Sequence, residues 1–177
     1  MKDIVIVGAG GLGREVAFLI NDLNQTHPEW NLLGFLERDS AKVGTAVGEY
    51  SVIGTDTFFD RCAASLHVAI AIGQPKRLRE ISGRLESNSR LQFPNLIHPS
   101  VIVHTKRVRF GRGNIVCAGA VLTTDVCIGS FNLLNLNCTV GHDVEIGDCN
   151  VINPGVNISG NVTIGDCCLL GTGAVVI

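Results

Sequence analysis

The chain has 177 residues, of which 46% are apolar and 17% charged, enough to bury a core and too apolar for a disordered tail. Its 14 basic and 16 acidic residues leave a formal charge of −2 with no basic run, which excludes a nucleic-acid partner held through phosphate contacts. Aromatics make up 5% while 21 residues are glycine, about 12% against a usual ~7%, a balance that favours a tightly turning β architecture over a helical bundle.

No apolar run approaches the ~20 residues of a membrane span, and Lys2-Asp3 ahead of a four-residue apolar strand is no signal peptide. The seven cysteines are odd in number, form no C-x-x-C, and include the adjacent Cys167-Cys168. They read as small buried hydrophobes in a reducing cytoplasm, not as a disulfide or zinc framework.

In chain order, Asp3-Ile4-Val5-Ile6-Val7 is a strand that runs directly into Gly8-Ala9-Gly10-Gly11-Leu12-Gly13. A helix follows from about Arg14 to Asn24, with Val16, Ala17, Leu19, Ile20 and Leu23 on its apolar face. Leu32 to Leu36 and Leu66 to Ile72 are further strands, and Gly73-Gln74-Pro75 introduces a helix from Lys76 to Glu86. Such β-α-β units predict a Rossmann-like parallel sheet over residues 1–93.

From about Phe110 the pattern changes. Every sixth residue from Phe110 through Val116, Leu122 and onward to Val176 is apolar without a slip in phase. Every eighteenth residue repeats in type: Val108, Val126, Val144 and Val162; Gly111, Gly129, Gly147 and Gly165; Asn114, Asn132 and Asn150. A period of six that closes at 18 predicts a three-sided parallel β-helix over residues 94–177, apolar inside, with Gly and Asn at corners that need φ > 0. An antiparallel sandwich does not explain identity at 18.

These [LIV]-G-x4 hexads resemble the left-handed β-helix acyltransferases, and the left hand of the coil is implied by that resemblance. Gly8-Ala9-Gly10-Gly11-Leu12-Gly13-Arg14-Glu15-Val16-Ala17, Gly34-Phe35-Leu36-Glu37-Arg38-Asp39 and Leu96-Ile97-His98-Pro99-Ser100 are similar to landmarks of one branch. That branch holds the sialic-acid O-acetyltransferases and the UDP-amino-sugar N-acetyltransferases of surface-glycan pathways. The resemblance implies acetyl-CoA as co-substrate, a sugar or nucleotide-sugar acceptor, no metal, and a homotrimer.

Gly8-x-Gly10-x-x-Gly13 between strand and helix matches the dinucleotide fingerprint, with Glu37 where a ribose-binding acid is expected. Such a loop lets backbone N–H groups and a helix N-terminus approach any diphosphate, NAD or UDP-sugar alike. Only one mononucleotide-binding half precedes the coil, which disfavours NAD; a turn needed solely for packing stays open. The resemblance implies an acceptor pocket at Gly8, Gly10, Gly11, Gly13, Glu37 and Gly73, with Asn135 near the acceptor on the coil. Leu12 stands where many relatives have His.

Of the five histidines, only His142 lies in the strictly periodic region, and no His pair has i, i+4 or i, i+5 spacing, which argues against a zinc site. His142 falls at an outward-facing corner with Asp143 beside it. A neutral imidazole there can deprotonate an amine or hydroxyl while the carboxylate fixes its tautomer. Gly160 lies 18 residues on, one coil above, where its N–H can donate to a thioester oxyanion. The resemblance assigns the base to His142, its acidic partner to Asp143 and acetyl-CoA contacts to Gly160, Thr172 and position 151. The last is Val151 where relatives often carry His. Cys138 shares a column with Ala120, Val156 and Ala174 and reads as core, not nucleophile. The sequence stops at Ile177 in mid-coil, and relatives continue with further coils that help hold coenzyme A. Val151 and that stop motivate the alternative of a non-catalytic sugar-nucleotide-binding or scaffold protein.

Overall fold

The computed structural model describes residues 1–61 and 65–177; Cys62 lies outside them. The N-terminal domain runs β1 (Lys2–Val7), α1 (Gly11–Thr26), β2 (Trp30–Leu36), β3 (Ala46–Val47), β4 (Tyr50–Gly54), β5 (Leu66–Ile70), α2 (Pro75–Glu86) and β6 (Leu91–Gln92). Its sheet has the order β3-β4-β2-β1-β5-β6 and is parallel apart from the β3–β4 pair. Ile4, Val5 and Ile6 are all fully buried, as expected of a central parallel strand covered on both faces. Val16, Ala17, Leu19 and Ile20 form the buried face of α1. This helix begins three residues earlier than the sequence suggests. At its end the Asn24 side chain accepts from the N–H groups of Glu29 and Trp30 and turns the chain into β2.

From Leu96 onward the chain is a left-handed parallel β-helix. Face I stacks β7 (Leu96–Ile97), β10 (Ile115–Val116), β13 (Leu133–Leu134), β16 (Val151–Ile152) and β19 (Leu169–Leu170). Face II stacks β8 (Ile102–Val103), β11 (Val121–Leu122), β14 (Thr139–Val140), β17 (Asn157–Ile158) and β20 (Val175–Val176). Face III stacks β9 (Val108–Phe110), β12 (Val126–Ile128), β15 (Glu145–Ile146) and β18 (Thr163–Ile164). The sixth-residue column from Phe110 to Val176 and the valine column from Val108 to Val162 together fill the interior. Cys138 is there too, fully buried beside Ala120 and Val156, and burial pushes its thiol pKa up, so it is no nucleophile.

The corners differ from the sequence expectation. Every sixth residue from Gly113 to Gly173 has positive φ, including Phe131, Asp143 and Cys149, whereas the Gly111 and Asn114 columns do not. The glycines at 111, 129 and 147 serve close stacking instead. A Cβ on Gly129 would meet the Gly147 carbonyl oxygen at 2.7 Å. Asn114, Asn132 and Asn150 form a buried ladder, in which the Asn114 Oδ1 accepts from the Asn132 N–H (2.8 Å) and the Asn132 Oδ1 from the Asn150 N–H (2.8 Å). The strain of a bulky residue in the left-handed region is about 1–2 kcal/mol. At Phe131 it is offset by burial against the N-terminal domain, where the ring meets Phe93 edge-on with centroids 5.2 Å apart.

The N-terminal domain covers face I, burying Leu96, Ile115, Leu133 and Val151 in its own core. Helix α2 descends along the corner between faces III and I. Its Arg79 bonds Asp166 (2.8 Å), Ser82 meets Cys149 (3.7 Å), and Glu86 pairs with Arg112 of a lower coil. At the other edge His98 meets Asp22 of α1 at 3.0 Å. Faces II and III stay open. Among the described residues no helix is long and apolar enough to cross a membrane.

Candidate active site

Two places in the fold carry chemistry. The first is a cleft of ≈ 560 Å³ at the C-terminal ends of the parallel strands, where such sheets bind ligands. Gly8, Gly10, Gly11, Glu37 and Gly73 line it. Gly8 has φ +103°, and a Cβ there would lie 2.7 Å from the Ala71 carbonyl oxygen, so the tight turn out of β1 requires glycine. Gly10 caps α1 with no side-chain hydrogen bond, which leaves the first-turn N–H groups directed at the cleft as an anion seat. The Glu37 carboxylate accepts the Ala9 N–H at 3.0 Å and so pins the loop to the end of β2. Gly13 departs from expectation. It is buried, and a Cβ on it would run into the Gly8 carbonyl, so it packs helix on strand and lines no cleft.

The cleft also holds cations that the motif did not reveal. Arg38, Arg77 and Arg84 line it; Asp56 engages Arg84 at 2.8 Å, while Arg38 and Arg77 make no ion pair among the described residues. Arg77 was legible in principle, because Pro75 starts α2 at the cleft and places its first turn there.

The second place is the corner between faces II and III. Val140 of β14 pairs with Ile158 of β17, which stacks the following corners on each other. Asp143 takes φ +56°, in the left-handed region that Asp tolerates better than most residues, and its Oδ2 lies 2.8 Å from His142 Nδ1. A carboxylate only accepts, so this contact places the proton on Nδ1 and leaves Nε2 with its lone pair. Directly above lies Gly160. A Cβ built on it would be 2.6 Å from both Nε2 and Cε1 of the ring, so the imidazole packs against the glycine. Among the described residues the Gly160 N–H has no intramolecular acceptor. The histidine side chain is 58% exposed. A basic nitrogen and an unsatisfied amide donor therefore adjoin at a surface open to large ligands.

The remaining candidates are elsewhere. Val151 is 1% exposed beneath the N-terminal domain and so touches no donor; an apolar residue is what that interface demands. Asn135 is 8% exposed on the corner between faces I and II, with its Oδ1 accepting the N–H of Leu136 at 2.7 Å. It is a turn residue and does not line the cleft of the glycine loop. Thr172 is exposed on the same corner two coils higher. The structure thus joins His142, Asp143 and Gly160, and separately five of the loop residues, but not the two groups.

Residues 3–85 match the PglD N-terminal domain family. No curated protein matches the chain by sequence. Among solved structures, the acetyltransferase domain of PglB from Neisseria gonorrhoeae FA1090 superposes with TM-score 0.86 at 27% identity, over 99% of this chain and 82% of that one. The same domain has been seen in complex with acetyl coenzyme A. WeeI from Acinetobacter baumannii AYE matches with TM-score 0.84 at 29% identity, over 99% of this chain and 80% of that one. A histidine-to-asparagine mutant of perosamine N-acetyltransferase from Caulobacter crescentus, in complex with CoA and GDP-perosamine, matches with TM-score 0.76 at 25% identity, over 100% and 89%. The N-terminal region thus matches the PglD N-terminal domain family, and the whole fold, that region joined to a left-handed β-helix, is similar to the folds of these sugar acetyltransferases.

Proposed function

We propose that this protein transfers the acetyl group of acetyl-CoA to an amino or hydroxyl group of a nucleotide-linked sugar, in the cytoplasm and in the service of surface-glycan synthesis. The single observation that carries this reading is the His142 ring packed against Gly160 with its Nδ1 held by Asp143. The acceptor nitrogen or oxygen attacks the thioester carbonyl while His142 Nε2 takes its proton. The developing oxyanion is stabilised by the Gly160 N–H. Collapse expels the CoA thiolate, which receives that proton from the imidazolium, and Asp143 stabilises the charged ring in between. An amine is favoured, because the Caulobacter neighbour is named an N-acetyltransferase and binds GDP-perosamine.

The acceptor's nucleotide sits in the glycine-loop cleft. Its nucleoside-linked phosphate is met by the first turn of α1 and by Arg38 and Arg77, and a hydroxyl by Glu37. A homotrimer is part of this reading. His142 stands at the corner between faces II and III and does not line the cleft, and Thr172 stands across face II, so the donor and acceptor residues are not gathered in one pocket of the chain. Face II and its first corner leave Ile102, Leu136 and Val175 exposed at 67%, 41% and 69%, an apolar surface suited to a second copy. The six described cysteines are all free, in keeping with a reducing compartment.

The experiment is an acetyl-transfer screen read by mass spectrometry, with UDP- and GDP-linked amino sugars competing against free sialic acid. His142→Ala is expected to lower kcat by ~10²–10⁴. Unchanged turnover in that variant removes the mechanism.

A further inference from the structure

The strand register changes at one place in the coil, directly below His142. Face II pairs Ile102 with Val121 and Val103 with Leu122, an offset of 19 residues, whereas face III pairs Val108 with Val126, an offset of 18. The first corner between these faces therefore carries one residue more than those above it: His104 to Arg107, against Thr123 to Asp125 and Gly141 to Asp143. The N–H groups of Arg107 and Val108 both donate to the His104 carbonyl, at 2.8 and 3.1 Å, which closes the extra residue into a turn with Thr105 and Lys106 at its tip.

The charges on this corner are already sorted. Arg107 donates to Asp125 at 2.6 Å and to Thr124 at 3.3 Å, and this bond holds the Asp125 carboxyl below its ordinary range. Its guanidinium is thereby committed to the coil above it. Lys106 is exposed and makes no ion pair among the described residues. Its backbone lies two strand spacings beneath His142, about 10 Å at ~4.8 Å per coil.

That separation suits an acceptor with a phosphate at one end. Gly160 lies above the imidazole, so the thioester carbonyl is taken from above and the acceptor extends downward over Thr124. From an amine at C4 of a pyranose to the phosphorus on its anomeric oxygen is roughly 7 Å at ~1.5 Å per bond. A lysine side chain spans the remainder. Resting on the acetyl-transfer reading above, we propose that Lys106, at the tip of the lengthened corner, receives the sugar-linked phosphate of the acceptor and thereby selects glycosyl phosphates over free sugars. It is a specificity-determining residue that touches substrate and takes no part in proton transfer.

The test compares wild type, Lys106→Ala, Lys106→Arg and Lys106→Glu in steady state with a nucleotide-linked amino sugar and acetyl-CoA varied in turn. Both substrates carry phosphates, so the two KM values identify which one Lys106 meets. The expected result is a KM for the nucleotide-linked sugar raised roughly three- to fivefold in Lys106→Ala, and further in Lys106→Glu, at low ionic strength. The effect should shrink as salt is added, Lys106→Arg should restore the wild-type value, and kcat and the KM for acetyl-CoA should stay within twofold. A rise in the acetyl-CoA KM instead, or no change in either, overturns the proposal while leaving acetyl transfer intact. A wild-type protein that acetylates no nucleotide-linked sugar overturns both.

Discussion

Gly160→Ala separates the catalytic geometry from fold stability with one methyl group. Gly160 is not in the left-handed region, so alanine fits its backbone, and the amide N–H is retained. The new Cβ would lie 2.6 Å from Nε2 and Cε1 of His142 and 2.9 Å from Cδ2. Ordinary carbon contacts begin near ~3.5 Å, so the ring must retreat by about 1 Å. It is the half-exposed end of a flexible side chain, and the retreat should cost well under about 1 kcal/mol of stability. A displacement of ~1 Å at a reacting group costs about 10²-fold in rate. The expected outcome is a kcat reduced ~10²-fold with Tm within about 2 °C of wild type, read by CoA-thiol release and by thermal melts. Gly129→Ala is the counterpart. Its Cβ would meet the Gly147 carbonyl at 2.7 Å and crowd the Asp148 carboxylate, and backbone has nowhere to go. Overpacking of ~1–3 kcal/mol should lower Tm by roughly 2–12 °C at about 2–4 °C per kcal/mol, with kcat near normal below the melt. A folded Gly160→Ala variant turning over within twofold of wild type would refute the stacking argument.

Asn132→Ala removes the Oδ1 that accepts the buried Asn150 N–H and should destabilise by about 1–3 kcal/mol; a urea midpoint equal to wild type would deny the ladder a structural role. Burial pushes the Cys117 thiol up to about 12 and raises Cys138 and Cys149 as well. Peptide mapping after pulse alkylation at pH 8 should therefore label these three only as the protein unfolds, and half-exposed Cys127 early. Because folded Cys117 binds its proton more tightly than the free thiol, its contribution to stability is complete below pH 9.0 and is lost as the pH climbs toward about 12. Val151→His introduces a larger, polar ring beneath the N-terminal domain. It should lower stability by ~1–3 kcal/mol without raising kcat, and a gain in acetyl-CoA affinity would reverse the assignment of this position to packing.

The coil was legible because its interior imposes one rule at every sixth residue: a side chain aimed at the axis of a closed tube must be apolar. The stacking of His142 and Gly160 followed from the same arithmetic, since 18 residues make one coil. What a repeat cannot state is which outer face another domain will cover. Val151 and Cys127 both point outward, yet one is sealed beneath the N-terminal domain and the other faces solvent. The same blindness misassigned the corners. Gly and Asn looked like turn formers, but beyond Gly113 the left-handed positions on the covered corner are taken by Phe131, Cys149 and Cys167, whose side chains pack into the domain interface. The β3–β4 hairpin was missed for a related reason: two short, half-exposed edge strands show little alternation.

The glycine loop shows the limit from the other side. Its spacing located the cleft, but Gly8, Gly10 and Gly13 answer to three different demands: a positive φ, an open helix N-terminus and a close helix–strand contact. Only the first two concern a ligand. A larger residue at Gly13 would therefore act through folding and should lower Tm together with nucleotide-sugar binding. Arg77→Ala, which leaves the loop untouched, should weaken binding alone. If both variants lost affinity at unchanged Tm, Gly13 would belong to the site after all, and helix–strand packing would not be its reason for being glycine.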